Sequence, residues 1–150
     1  MAGVNLALSS GEVSLVAATT KTIVQLIAAA QHRVKVIGIS IYFKDTVVTD
    51  TPVKVDICRQ TTAGTPGSTP SLVKKNESDA ETIQTTAGIN YSAEPTVTDI
   101  LETKEIHPQT GEKVYLPLSQ EIYIKGGNRL GVRALAAQNQ TVVVNFEVEE

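Results

Sequence analysis

Histidine, cysteine and paired carboxylates are where chemistry usually resides, and this chain offers few of the first two. His32 and His107 are its only histidines and Cys58 its only cysteine. Neither histidine has another nitrogen or sulfur ligand within a few residues, whereas a zinc site needs three or four. Pro108 pushes His107 toward an extended or turn conformation, and His32 sits between Gln31 and Arg33 in an expected turn. With a single cysteine no intrachain disulfide can form, and Cys58 is expected to be a small, apolar strand residue. Nucleophilic hydrolysis would need a serine on a Gly-x-Ser-x-Gly elbow. Gly38-Ile39-Ser40-Ile41-Tyr42 lacks the second glycine and looks like strand interior. In Gly126-Gly127-Asn128-Arg129-Leu130-Gly131 the next residues are Val132 and Arg133, where a phosphate loop would have Lys-Ser/Thr and a helix.

Carboxylates are more plentiful. Glu94, Asp99, Glu102, Glu105 and Glu112 could pair across strands in the manner of a glycosidase, although such clusters usually face solvent. Four Tyr, two Phe and no Trp leave few flat rings for a sugar. Jelly-roll enzymes that bind a metal inside the barrel need several clustered His and carboxylate ligands, and two distant histidines are too few. The sequence therefore gives no catalytic residue, no metal ligand set and no cofactor site, and the expectation is that the chain is not an enzyme.

The elements that would position these residues are strands. The chain has 150 residues, enough to bury roughly 68–70% of its unfolded surface as a single domain spanning 1–150. Its net charge of −3 and scattered basic residues argue against nucleic acid as a partner. No apolar run is long enough to span a bilayer, and no signal peptide opens the chain, so folding in a cytoplasm is expected. The triplets at Asn76, Asn90 and Asn139 are then chance matches to the glycosylation motif.

Apolar residues recur with period two in short runs separated by Gly, Pro, Asn and Thr, which predicts an all-β sandwich of jelly-roll type. Val142, Val144, Phe146 and Val148 form the inner face of the last strand. Val53, Val55 and Ile57 form that of another, with Lys54, Asp56 and Cys58 opposite. Arg33 to Lys44 is the longest strand candidate, and its phase changes near Gly38, as at a bulge. Lys21 to Ile27 reads as a strand followed by a turn in preference to a helix. Val114, Leu116 and Leu118 alternate ahead of Ile122 and Ile124. Gly126-Gly127-Asn128 then predicts a tight hairpin into Leu130, Val132 and Ala134. Residues 61–80 should form an exposed loop with at most a short helical turn near Ser78 to Thr82.

Four stretches carry a resemblance. They are Arg59-Gln60-Thr61-Thr62-Ala63-Gly64-Thr65, Ala93-Glu94-Pro95-Thr96, Ile106-His107-Pro108-Gln109-Thr110-Gly111 and Gly127-Asn128-Arg129-Leu130-Gly131-Val132-Arg133. In this order they resemble the jelly-roll proteins with which tailed bacteriophages decorate or cement the capsid exterior. The resemblance implies a structural virion protein, a homotrimer that binds the major capsid protein on the outside of a phage head and stabilises it. A tail- or neck-associated module that binds a receptor or carbohydrate is the alternative on the same fold. A cement protein works through edges, arms and outer walls. Val4, Leu6 and Leu8 alternate within residues 1–10, a first edge strand or an arm that joins a neighbour's sheet. Tyr115, Tyr123 and Val143 are the candidate interface anchors on an outer wall.

Overall fold

The period-two runs become strands, and the strands become two antiparallel sheets. The structure, a computed structural model, describes residues 3–150. Its strands in chain order are β1 (Asn5–Ser9), β2 (Val13–Leu15), β3 (Lys21–Ile27), β4 (Val34–Phe43), β5 (Val53–Gln60), β6 (Val73–Lys74), β7 (Thr86–Ile89), β8 (Val97–Ile106), β9 (Gly111–Tyr115), β10 (Ile122–Ile124), β11 (Arg129–Leu135) and β12 (Gln140–Glu149). No helix occurs among the described residues.

One sheet has the order β10-β4-β12-β1-β6, with β9 also on β4 and β2 also on β12; the other is β7-β3-β11-β5-β8. Set aside the short strands and the quartets β1-β12-β4-β9 and β3-β11-β5-β8 remain, the strand order of a jelly roll. Between them lies one core, in which Phe146, Leu6, Leu15, Ile23, Leu26, Ile41, Ile57, Ile124 and Leu130 are fully buried. β12 follows its expected pattern, with Val142, Val144, Phe146 and Val148 inside. The phase change in β4 is a bulge. Its register against β12 shifts between Glu147, opposite Gly38, and Val148, opposite Val36. β3 ends at Ile27, where the strand reading placed its end.

Three expectations are corrected. The glycine turn is real, but it does not close a hairpin. β10 pairs with β4 and β11 with β3 and β5, so residues 125–128 carry the chain from one sheet to the other. Only Gly127 has a positive φ there, +81°, while a Cβ at Gly126 would stand 2.4 Å from the carbonyl oxygen of Ala30. Thus one glycine bends the chain and the other lets it pass close to the 28–33 loop. Second, Leu118 does not continue β9. It lies in the following loop, 87% exposed.

The third concerns the N-terminal segment. Val4, Leu6 and Leu8 are buried in this chain's own core, and β1 is held between β12 and β6. They are therefore core residues and cannot serve as interface anchors, because their side chains point between the sheets. Met1 and Ala2, which belong to the proposed arm, lie outside the described residues.

The long connection from β5 to β8 is largely exposed over residues 61–80, as expected, and it is also tied into both sheets. It crosses the outer wall of the second sheet, adds β6 to one sheet edge and β7 to the other, and makes bridges Thr65↔Ala93 and Ser68↔Ile89. Residues 76–79 form a turn, with Asp79 N donating to Asn76 O at 3.2 Å, and residues 78–82 contain no helical turn.

Candidate interaction surface

Alternation gives each sheet an outer wall, and the two walls have different fates. On the second sheet, Thr22 and Gln25 of β3 and Asp56, Cys58 and Gln60 of β5 are all buried. The 61–96 connection lies over them and supplies Tyr91, Thr62 and Glu94. Gln25 Nε2 donates to Gln60 Oε1 (2.8 Å) and to Thr62 O (3.1 Å), and the Tyr91 hydroxyl donates to Gln25 Oε1 (3.2 Å). Gln60 Nε2 donates to Thr22 Oγ1 (3.1 Å), whose own hydroxyl donates to Glu94 Oε2 (2.5 Å). The Glu94 carboxylate also accepts the Thr22 backbone N–H at 2.8 Å. Nearby, Asp56 accepts from Arg133 Nε (3.0 Å) and from Thr103 Oγ1 (2.7 Å). Burial pushes the Tyr91 phenol up to about 12 and the Cys58 thiol up to about 11, so both stay protonated at neutral pH. This wall is a closed, mutually satisfied polar layer, and it serves to fasten the connection.

The first sheet's wall is open. It carries Val143, Asn145, Glu147 and Glu149 of β12, Lys35 and Tyr42 of β4, Lys113 and Tyr115 of β9, Tyr123 of β10, and Val73 of β6. The register sets Val143 opposite Tyr42, Tyr115 opposite Gly38 and Tyr123 opposite Lys35. Of the three residues the sequence placed on an outer wall as anchors, Tyr115 is 57% and Tyr123 41% exposed, and Val143 is half-buried opposite Tyr42. Tyr42 (42%) and Val73 (64%) belong to the same wall and were missed. Tyr42 could have been found, since it alternates with Ile41 once the Gly38 bulge is allowed for. Val73 sits in a two-residue strand inside a polar loop, which no periodicity marks.

The rings lie flat. Ideal Cβ atoms at Gly111 and Gly38 would approach the rings of Tyr42 and Tyr115 to 2.2 and 3.1 Å, so each tyrosine covers a glycine of the neighbouring strand. Lys113 Nζ stands 4.8 Å from the Tyr115 ring centre, and the Arg33 guanidinium 4.8 Å from that of Tyr123. Glu147 ties the middle together: it meets Lys75 at 2.9 Å, Lys113 at 3.3 Å and the Tyr115 hydroxyl at 3.3 Å. The Lys75 ammonium, reinforced by Lys113, holds the Glu147 carboxyl below the usual range despite some desolvation. Lys35 and Glu149 form a further ion pair. A flat wall of aromatic area with internally paired charges suits a protein surface. It suits sugar stacking less well, because two of its three rings already carry a cation over the face.

The remaining chemical candidates are dispersed. His107 lies at one rim, where its Nδ1 accepts from Gln109 N (3.2 Å) and its Nε2 is 3.4 Å from Asp50. His32 is exposed in the turn before β4, at the other rim. Ser40 is buried within β4. Of the carboxylates, Glu102 and Glu112 do converge, on Lys104 Nζ at 3.3 and 2.5 Å. Burial opposes charge on Lys104, but bonds from Glu112 and Glu102 outweigh it and its pKa is raised. These side chains close the seam between β8 and β9 over a cavity of about 20 Å³, room for about one water and too small for a sugar ring. Among the described residues no group of three or more His, Cys, Asp or Glu is placed to hold a metal ion. No family model matches the chain, and neither do any curated proteins or solved structures.

Proposed function

We propose that this chain is a structural virion protein that decorates the outside of a phage head as a homotrimer and stabilises it by contact with the major capsid protein. The observation that carries the reading is the open wall of the first sheet, with Tyr42, Tyr115, Tyr123, Val143 and Val73 displayed on a jelly-roll frame. Tyrosine brings large contact area at low cost in side-chain entropy and is enriched where proteins meet. The four motif stretches support the reading from the sequence side. Two of them, 59–65 and 93–96, pack on each other through Thr61 N to Thr96 O (2.9 Å) and Thr65 N to Ala93 O (2.9 Å).

Native mass spectrometry together with imaging of purified particles tests the proposal. A trimer in solution that co-sediments with heads and occupies regular exterior positions is the expected result. A strictly monomeric chain that never associates with particles overturns it.

A further inference from the structure

At the rim where β5 ends, β8 begins and the 125–128 turn enters β11, a polar cleft of about 320 Å³ is lined by Arg59, Arg129, Asn128, Thr61, Thr98 and Asp99. Most cations of this chain are matched: Lys35, Lys44, Lys54, Lys75, Lys104, Lys113 and Arg133 each have a carboxylate within ion-pair distance. Among the described residues Lys21, Arg33, Arg59, Lys74, Lys125 and Arg129 have none, and of these Arg59 and Arg129 share one cleft. Each guanidinium has five N–H donors in a planar fork. Arg59 uses Nη1 on the Tyr123 carbonyl at 2.7 Å, and Arg129 uses Nη1 on the Thr61 carbonyl at 3.4 Å. Arg129 Nε is buried and has no partner. Both side chains are thus tethered at one nitrogen, with the rest of the fork unspent, an arrangement that lowers the ordering cost of binding.

We propose that this cleft is a carboxylate-binding site. Guanidinium forks match planar carboxylates through two parallel charge-assisted hydrogen bonds. Charge selects the ligand further. Two arginines and Asp99 leave the cleft one positive charge, which a carboxylate monoanion neutralises and a phosphate dianion oversteps. The site does not depend on the chain being a virion protein, and a carboxylate from a neighbouring protein surface or from a small acid satisfies it equally.

The test follows the arginine Nε–Hε signals of Arg59 and Arg129 by NMR in the intact chain at constant ionic strength. The probes are acetate, inorganic phosphate and a capped pentapeptide with a central Glu. Acetate should shift both signals saturably, and more tightly than phosphate. Arg129→Gln and, independently, Arg59→Gln should each weaken acetate binding by about tenfold or more, the scale of a lost charged hydrogen bond. Thermal unfolding confirms that each variant is folded, and either one alone suffices. Asp99→Asn should reverse the preference toward phosphate. Tighter binding of the peptide than of acetate supports a protein-borne carboxylate, and equal binding supports a small acid. Shifts that do not saturate, phosphate binding as tightly as acetate, or acetate binding unchanged in the folded variants would overturn the site.

Discussion

The outer wall of the second sheet holds Thr22, Gln25, Asp56, Cys58 and Gln60 out of water, while the corresponding wall of the first leaves Tyr42, Tyr115 and Val73 in it. By residue type alone the assignment would be reversed. The polar wall is buried because the chain lays its own connection across it, and the amides and hydroxyls there are satisfied partly by one another and partly by Thr62, Tyr91 and Glu94 of that connection. The apolar and aromatic wall is left bare, with its charges already paired to one another. A polar layer that is satisfied internally is a way of fastening a loop; an aromatic layer that is not covered is the surface on which the proposed function rests.

The comparison breaks most sharply at Gln25. Gln25→Ala leaves Gln60 Oε1, Thr62 O and the Tyr91 hydroxyl without the partners Gln25 supplied, and the expected loss is about 3 kcal/mol. In a domain of this length that lowers the melting temperature by roughly 6–12 °C. A loss under about 0.5 kcal/mol in urea unfolding would show that the network does not hold the connection.

Glu94→Ala should cost about 2 kcal/mol, since it strips acceptors from the Thr22 amide and hydroxyl. It should also speed modification of Cys58 by a disulfide reagent in native buffer, as the connection opens more often. In the parent protein Cys58 should be nearly inert, being buried and protonated up to about pH 11. Equal labelling rates in the two proteins would separate the connection from the thiol's protection.

On the open wall the effects should fall on association. Tyr42→Ala and Tyr115→Ala are expected to weaken self-association by about 1–2 kcal/mol each, read by sedimentation equilibrium, while changing the stability of the separated chain by about 0.5 kcal/mol. The reverse pattern would mean that these rings are structural.

The smallest effect is a pH dependence. Glu147 has a lowered pKa in the folded chain, so its contribution is complete above the unfolded glutamate value of about 4.3 and is lost as pH falls below it. Glu147→Gln should therefore flatten the acid side of the stability curve, measured as urea midpoints between about pH 5 and pH 3. A parallel curve would show that Lys75 and Lys113 do not favour the ionised form.

What the sequence made legible follows from which forces are periodic. Burial on one face is, and so β12, the inner face of β5 and the bulge in β4 could be read directly. Turn chemistry reports that a chain bends but not where it goes next. Gly126-Gly127-Asn128 looked like a hairpin for that reason, though it leads across the core. Alternation also cannot say whose core a strand enters, hence the reassignment of Val4, Leu6 and Leu8. β8 gave no signal, because Thr98 to Thr103 of this edge strand are exposed on both faces. Gln25 and Gln60 were hidden more deeply, since a polar residue on a strand reads as solvated unless the loop that buries it is known. Of the open wall, the outward positions of Tyr115, Tyr123 and Val143 were legible, and Tyr42 needed only the bulge to be placed.

β12 occupies the middle of the first sheet, between β4 and β1, yet it is made after every other strand of the sandwich. Until it emerges from the ribosome, β1 and β4 have no common neighbour and the core stands open along its length. Closure of the core is therefore bound to wait until β12 itself has been made, and the earlier strands stay incompletely paired for that interval.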